Sequence, residues 1–449
     1  MFVMDAIRTS RAQLPQVDTT ELIAARTRRR VMRRLMPFLI VAYLCAYIDR
    51  ANLGIAKLEM QRDLAFAEST IGLGAGIFFI GYLLLEIPGS LIVERSSARK
   101  WFARIMVCWG LVAVLSGFIN NVGEFYAARF ILGAAEAGFF PGVVVYLSHW
   151  FRPEDRTRAK SWFMMTQPLS VVVGVPLARW ILETVHWNGL HGWRWVFILE
   201  GVPSIAVGLF GLFYLTDRVQ DARWLPQDEK SWLASELAKE ADERLAAGRV
   251  SAFAAFRHPQ TIQLMIVFFL IVTGNQAILF FLPSIAVELG NLSVVAQTAI
   301  ATAPYVCSIA GIFLNGHLAA RTGERRWHTA LPMLLAGLSL AAAVLTRQHV
   351  GVMVAFLCLM GLSFQAYLPV LWTLPGMYLG QSASAVAIGT INSFGNLGGF
   401  VGPYIFGSLK SATGSYQSGL FVLIGCMLAS GILASRVHIG NRKSDQKET

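Results

Sequence analysis

Twelve apolar stretches, each long enough to cross a bilayer as a helix, which takes about 20 residues, follow one another along this chain of 449 residues. They fall at residues 35–56, 69–92, 101–120, 123–148, 158–184 and 195–215, and, after a polar interval, at 261–288, 296–318, 328–346, 349–378, 385–409 and 416–436. Hydrophobic residues make up 55% of the chain and charged ones 14%, against about 25% charged in a soluble domain. The mean hydropathy is +0.54. The chain reads as an all-α membrane protein in a lipid bilayer, with twelve transmembrane helices in two halves of six.

That pattern sets a domain plan: a polar leader at 1–34, a first bundle at 35–215, a linker at 216–260, a second bundle at 261–437 and a tail at 438–449. The leader carries eight arginines and precedes an apolar stretch long enough to span, so it reads as cytoplasmic rather than as a cleaved signal. In the linker, Pro226-Gln227-Asp228-Glu229-Lys230 is followed by Trp232, Leu233, Leu237 and Leu245. An acidic first turn and helically spaced apolar residues predict a helix lying along the cytoplasmic face.

The net charge of +11 and isoelectric point near 9.6 do not point to nucleic acid. The bases crowd into the leader, the joints Glu94 to Lys100, Arg152 to Lys160 and Arg321 to Arg326, and the tail after Arg436. With twelve spans all of these lie on one side, which the positive-inside rule makes cytoplasmic, and both termini share it. Cys45, Cys108, Cys307, Cys358 and Cys426 all sit in apolar stretches with no CxxC and no histidine cluster, so neither disulfide nor metal site is indicated. No HExxH, GxSxG or GxxxxGK[ST] motif occurs, and an enzyme is not expected. A sensor would carry a long soluble output region, whereas the interval between the halves is only about forty residues.

Charge inside a span is costly, about 2.5 to 3.5 kcal/mol per residue on insertion scales, and marks a substrate or ion path. Tyr47-Ile48-Asp49-Arg50-Ala51-Asn52 puts two such residues in the first span. Neighbours on a helix point about 100° apart, so one can line a cavity while the other faces a neighbouring helix. Asp49 is the first candidate for a proton site, because burial and a nearby arginine act on a carboxyl in opposite directions; the alternative is a static ion pair. Arg50 offers a planar fork suited to a carboxylate, or else pairs with Glu136 or Asp49 in a locked network. Arg129 and Glu136, two turns apart, share a face of span four, where Gly133 and Gly138 suit close helix approach. Glu86, beside Pro88, reads as interfacial or structural, and Arg194 and Glu200 as structural polar groups within the bundle. The second half has neutral polar residues instead: Asn275, Gln276, Gln365, Tyr367, Asn392, Ser393 and Asn396. Amides and hydroxyls suit a small polar substrate, with hydrogen bonding between helices as the alternative, which is preferred for Asn396.

An internal repeat supplies the architecture. Gly89-Ser90-Leu91-Ile92-Val93-Glu94-Arg95-Ser96-Ser97-Ala98-Arg99-Lys100 joins spans two and three, and Gly316-His317-Leu318-Ala319-Ala320-Arg321-Thr322-Gly323-Glu324-Arg325-Arg326 joins spans eight and nine. Two facing six-helix units about a midplane site are a recurrent transporter design. The first joint resembles the signature loop of the major facilitator superfamily, Gly-x-x-x-Asp-Arg-x-Gly-Arg-Arg/Lys, with Glu94 for Asp and Ser97 for Gly; the second copy has Ala320 at the acid position.

A narrower resemblance is to the anion:cation symporter family, carriers of sugar acids, tartrate, phthalate and other organic acids. It rests on the segments Tyr47 to Gly54, Arg129 to Gly142 (RFILGAAEAGFFPG), Gly192 to Gly201 (GWRWVFILEG) and Gly389 to Pro403 (GTINSFGNLGGFVGP). The resemblance implies a monomeric proton symporter with no cofactor but the coupling proton, importing a small organic acid or sugar-acid anion, in the bacterial inner membrane. It implies Asp49, Glu136 and Arg129 as the proton-coupling residues, and Arg50 as holder of the substrate carboxylate. It supports Tyr47, Tyr82 and Gln167 as substrate contacts, to which the neutral polar chemistry of the second half adds Gln365, Asn392 and Ser393, and it implies Gly89, Glu94, Arg95, Arg99 and Arg321 as gating loop. Drug or metabolite efflux, also performed in the superfamily, is the competing expectation.

Overall fold

The computed structural model describes residues 19–95, 97–246, 257–289, 292–379 and 381–437. Helices account for every expected span, as they must where backbone groups in hydrocarbon can pair only within their own segment. In the first half these are α1 (Thr19–Leu64), α2 (Glu68–Arg95), α3 (Ala98–Ser116), α4 (Val122–Glu136) with α5 (Phe139–Ser148), α6 (Pro153–Met164) with α7 (Thr166–Thr184), and α8 (Gly192–Tyr214). The linker forms α9 (Gln227–Ala246). The second half holds α10 (Pro259–Glu288), α11 (Val294–Thr322), α12 (Arg326–Leu345), α13 (Val350–Phe364) with the short α14 (Leu368–Leu371) and α15 (Pro375–Tyr378), α16 (Gln381–Thr413) and α17 (Tyr416–Ser435). Among the described residues ten segments are long and apolar enough to span by themselves. Adding α3, whose first turns carry Arg99, Lys100 and Arg104, and α16, rich in Gly, Ser and Asn, completes twelve.

Two differences from the sequence reading matter. The first span's helix begins at Thr19, inside the stretch read as a leader; residues 1–18 and the tail from 438 lie outside the described residues. Its early arginines bind the linker helix: Arg26 to Asp228 at 2.7 Å and Arg30 to Glu229 at 3.1 Å, while Arg156 holds Glu240 at 2.9 Å. With Leu233 buried beneath it, α9 is docked on the first half.

The second difference is that spans four and ten are broken near their middles. Ala137 leaves helical geometry (ψ 141°) and Gly138 takes φ 83°, a left-handed conformation that glycine adopts without steric cost. Gly138 therefore breaks a helix rather than admitting a neighbour. Span ten breaks over Gln365 to Tyr367, between α13 and α14.

Gly133 does mark a close approach. A Cβ there would run into the carbonyl oxygen of Phe78 on α2, so Gly133→Val is expected to cost about 1–3 kcal/mol through overpacking. The check is a lower thermal unfolding midpoint for the purified variant.

The halves meet along three seams: α2 with α16, α7 with α11, and α1 with α10. The α2–α16 seam is an antiparallel pair on which Gly72 faces the Pro403 carbonyl and Gly407, Gly76 faces Phe400, and Gly399 faces Phe79.

Candidate functional site

Because Asp49 and Arg50 are adjacent on α1, they face different surroundings. Arg50 points to the seam between the halves. Its Nη2 lies 2.7 Å from Glu136 Oε1, and its Nε donates to the same oxygen at 2.9 Å. The guanidinium is also within 4.9, 5.1 and 5.2 Å of the ring centres of Tyr47, Phe78 and Tyr82, distances at which an aromatic face attracts a cation. Glu136 is the last residue of α4, so the break at Ala137 sits at the ion pair itself.

Asp49 turns into the first bundle and is 3% exposed. Asn52 Nδ2 donates to its Oδ1 at 3.2 Å, and Oδ2 receives no hydrogen bond. Arg129, on the same face of α4 as Glu136, is a charged neighbour of both carboxyls. It donates through Nε to the Gly74 carbonyl at 3.4 Å and lies 5.1 Å from the Phe78 ring centre, leaving both Nη atoms unpartnered. The first half thus gathers these charges in one buried polar region, of which Arg50 alone among them reaches the cavity between the halves.

That cavity has a volume of about 100 Å³. The first half contributes Tyr47, Arg50, Tyr82 and Gln167, all expected, together with Tyr43, Phe79, Phe140 and Met164. The second half contributes Asn275, Gln276, Tyr367, Asn392 and Asn396, and the apolar Phe268 and Trp372. Asn275 donates to the Tyr367 hydroxyl at 3.2 Å. Gln365 and Ser393 are not on the cavity wall: Gln365 is buried at the break in span ten with its Oε1 unpartnered, and Ser393 points elsewhere. A larger cavity, about 350 Å³, lies inside the second half among Ile278, Leu340 and Met360. Its walls are mostly hydrocarbon, with Gln348, Ser415, Tyr416 and Gln417 as neutral polar groups and its charges, Glu288 and Arg347, exposed, so it lacks the buried cation a carboxylate needs.

Ser393 faces Glu86. The Glu86 carboxylate, buried on α2, accepts hydrogen bonds from Asn392 Nδ2 at 2.8 Å, Ser393 Oγ at 3.4 Å and Asn396 Nδ2 at 3.4 Å. Glu86 is therefore not interfacial but sits in the joint between the halves, and three amide or hydroxyl groups of α16 converge on it. Beyond this rung, toward the termini, Pro88 and Gly389 are exposed.

The face opposite the termini is sealed by charged and aromatic groups. Lys57 of α1, 0% exposed, lies 3.3 Å from Glu68 and 3.8 Å from the centre of the Phe281 ring in the other half. Tyr416 donates to Glu68 at 2.8 Å, Ser69 N to Ser411 Oγ at 2.9 Å, and Arg179 Nη2 to Gln297 Oε1 at 2.7 Å.

Of the expected gating loop, Gly89, Glu94 and Arg95 fall within α2, but their side chains lie outside the described residues. Arg99 binds Asp217 beyond span six, through its backbone N–H at 2.9 Å and its Nε at 3.2 Å, and Ser97 Oγ donates to the same carboxylate at 2.8 Å. Arg321 in the second copy is exposed. There Asn315 Nδ2 donates to the carbonyls of His328 and Ala366, each at 2.8 Å, and the Glu324 carboxylate accepts from Trp327 N at 2.7 Å.

Two facing bundles of membrane-spanning helices with a polar cavity in their joint are the architecture of a membrane transporter. The model of the Major Facilitator Superfamily matches residues 39–403 and 264–448, and the chain belongs to that family. A putative tartrate transporter of Agrobacterium vitis is 39% identical over 413 residues, 92% of this chain and 94% of the relative. A quinolone resistance transporter of Acinetobacter baumannii is 34% identical, covering 91% of this chain and 94% of its own length. The xylose transporter XylE of E. coli, in an inward open conformation, superposes with a TM-score of 0.72 over 91% of this chain and 97% of that one at 13% identity, a likeness of fold.

Proposed function

We propose that this transporter imports a small organic acid anion in symport with protons, as a monomer in a bacterial cytoplasmic membrane. Arg50 carries the reading: a guanidinium on the cavity wall, ringed by Tyr47 and Tyr82 and already holding a carboxylate, that of Glu136. A substrate carboxylate that takes over this fork displaces Glu136, which becomes an unpaired buried acid and so favours its protonated form. Anion binding and proton binding then support each other through one arginine. The relative named for tartrate supports a hydroxy-acid substrate. With basic joints on the cytoplasmic side, the sealed face is the outer one and this conformation faces inward.

The experiment is uptake of labelled tartrate into liposomes with an acid exterior. Accumulation above the outside concentration is expected, with loss on adding a protonophore and at least a tenfold loss in Asp49→Asn, about 1.4 kcal/mol of coupling. Accumulation by Asp49→Asn at the wild-type level would remove Asp49 from the coupling path. A second reading, drug efflux, is favoured by the aromatic lining of Tyr43, Phe79, Phe140, Phe268 and Trp372 and by the relative named for quinolone resistance. Cells expressing the protein would then tolerate a fluoroquinolone better and take up no tartrate.

A further inference from the structure

Glu200 is a buried acid to which the circuit above gives no part. It stands on α8, about 12 Å along the helix from Gly192 by the helical rise. It is 3% exposed, and neither carboxyl oxygen receives a hydrogen bond. Its polar neighbours are Asp49 and Asn52 of α1, and Cys45 on the same helix faces Ser204. From α3, Gly110, Ala113 and Val114 lie against Gly201. The α3 cations Arg99, Lys100 and Arg104 lie near its other end, and Arg179 and Glu183 of α7 pair with each other at 3.3 Å. Arg194, on α8 itself, is engaged by the carbonyls of Gly117 and Ile119, by Asn120 and by Asp63. Among the described residues no cation pairs with Glu200.

An ionised carboxylate in such a place is strongly disfavoured. A carboxylic acid is a donor, and each of its two polar neighbours keeps one unpartnered acceptor, Asp49 Oδ2 and Asn52 Oδ1. The surrounding polar core holds three acids, Asp49, Glu136 and Glu200, against two cations, Arg50 and Arg129, so one proton brings it to neutrality. We propose that Glu200 is a third proton-exchanging carboxyl, which holds a proton while the face opposite the termini is sealed and shares it with Asp49. In the exchange the O–H bond of Glu200 breaks as that of Asp49 forms, and the charge moves with it; no other reactant is needed. Its part in transport rests on the proton-coupled reading above, but the proton site itself does not.

Infrared spectroscopy of the full-length protein in lipid nanodiscs reads the site without substrate. At neutral pH the wild type is expected to show a carboxylic acid C=O band that Glu200→Gln lacks. This band should fade as the pH is raised, and its midpoint should move by at least one pH unit in Asp49→Asn. An unchanged amide band controls for folding; where Glu200→Gln fails to fold, Glu200→Asp should shift the band. Coincident spectra of wild type and variant, a band that ignores pH, or a midpoint that Asp49→Asn does not move would each overturn the proposal. Tartrate uptake indifferent to a pH gradient, with the band still lost in Glu200→Gln, would uphold the proton site and refute the coupling reading alone.

Discussion

Arg50→Ala is expected to lower tartrate uptake by about 100-fold or more and to destabilise the protein. Removing one partner of a buried ion pair costs about 3–5 kcal/mol, because the other charge is left uncompensated. That partner is Glu136, 3% exposed and held at 2.7 Å. The double variant Arg50→Ala with Glu136→Gln separates the two losses: its thermal midpoint should recover toward wild type while uptake stays absent. Arg50→Lys should also transport poorly, since an ammonium cannot reproduce the planar fork. Uptake by Arg50→Ala within a few-fold of wild type would exclude Arg50 as the carboxylate holder.

The second large effect is expected at Glu86. Its carboxylate collects three donors from the opposite half, and hydrogen bonds to a charged group contribute about 1.5–3 kcal/mol each. Glu86→Ala should therefore loosen the α2–α16 seam at this rung, with a drop of several degrees in the unfolding midpoint and at least a tenfold fall in uptake, about 1.4 kcal/mol. Glu86→Gln keeps the shape but sets an amide N–H₂ against Asn392, and should fall between the two. The measurement is initial uptake rate beside thermal unfolding in the same preparation; wild-type values of both in Glu86→Ala would make the cluster dispensable.

Glu86 also shows where sequence reading stops. The twelve spans, the two halves and the linker helix follow from hydropathy and helix-start signals, which are local and strong. The segregation of Asp49 from Arg50 follows from helical pitch. The seam partner of Glu86 does not, because it depends on the register of α2 against α16, more than 300 positions away in the chain. An acid beside Pro88 in an apolar span was a usable signal, and its cost in hydrocarbon pointed inward rather than to the interface. Gly138 was misread for a related reason: a glycine allows both close packing and a left-handed turn, and composition cannot tell which. The Asp217 contacts of Ser97 and Arg99 likewise need the three-dimensional approach of the end of span six to the joint after span two.

The breaks in spans four and ten have a mechanical consequence. They fall in the fourth helix of each half, at Glu136 and at Gln365, where the ladder of backbone hydrogen bonds is interrupted and bending is cheapest. The parts beyond them, α5 in one half and α14 with α15 in the other, lie toward the face of the termini. Each bundle therefore has an elbow at the level of the cavity, and the segment beyond it is held by side-chain packing, with Val143, Tyr146 and Leu147 buried in α5 and Val370 and Leu371 in α14. Closing over a substrate can then draw on bending at these two elbows as well as on movement of the bundles.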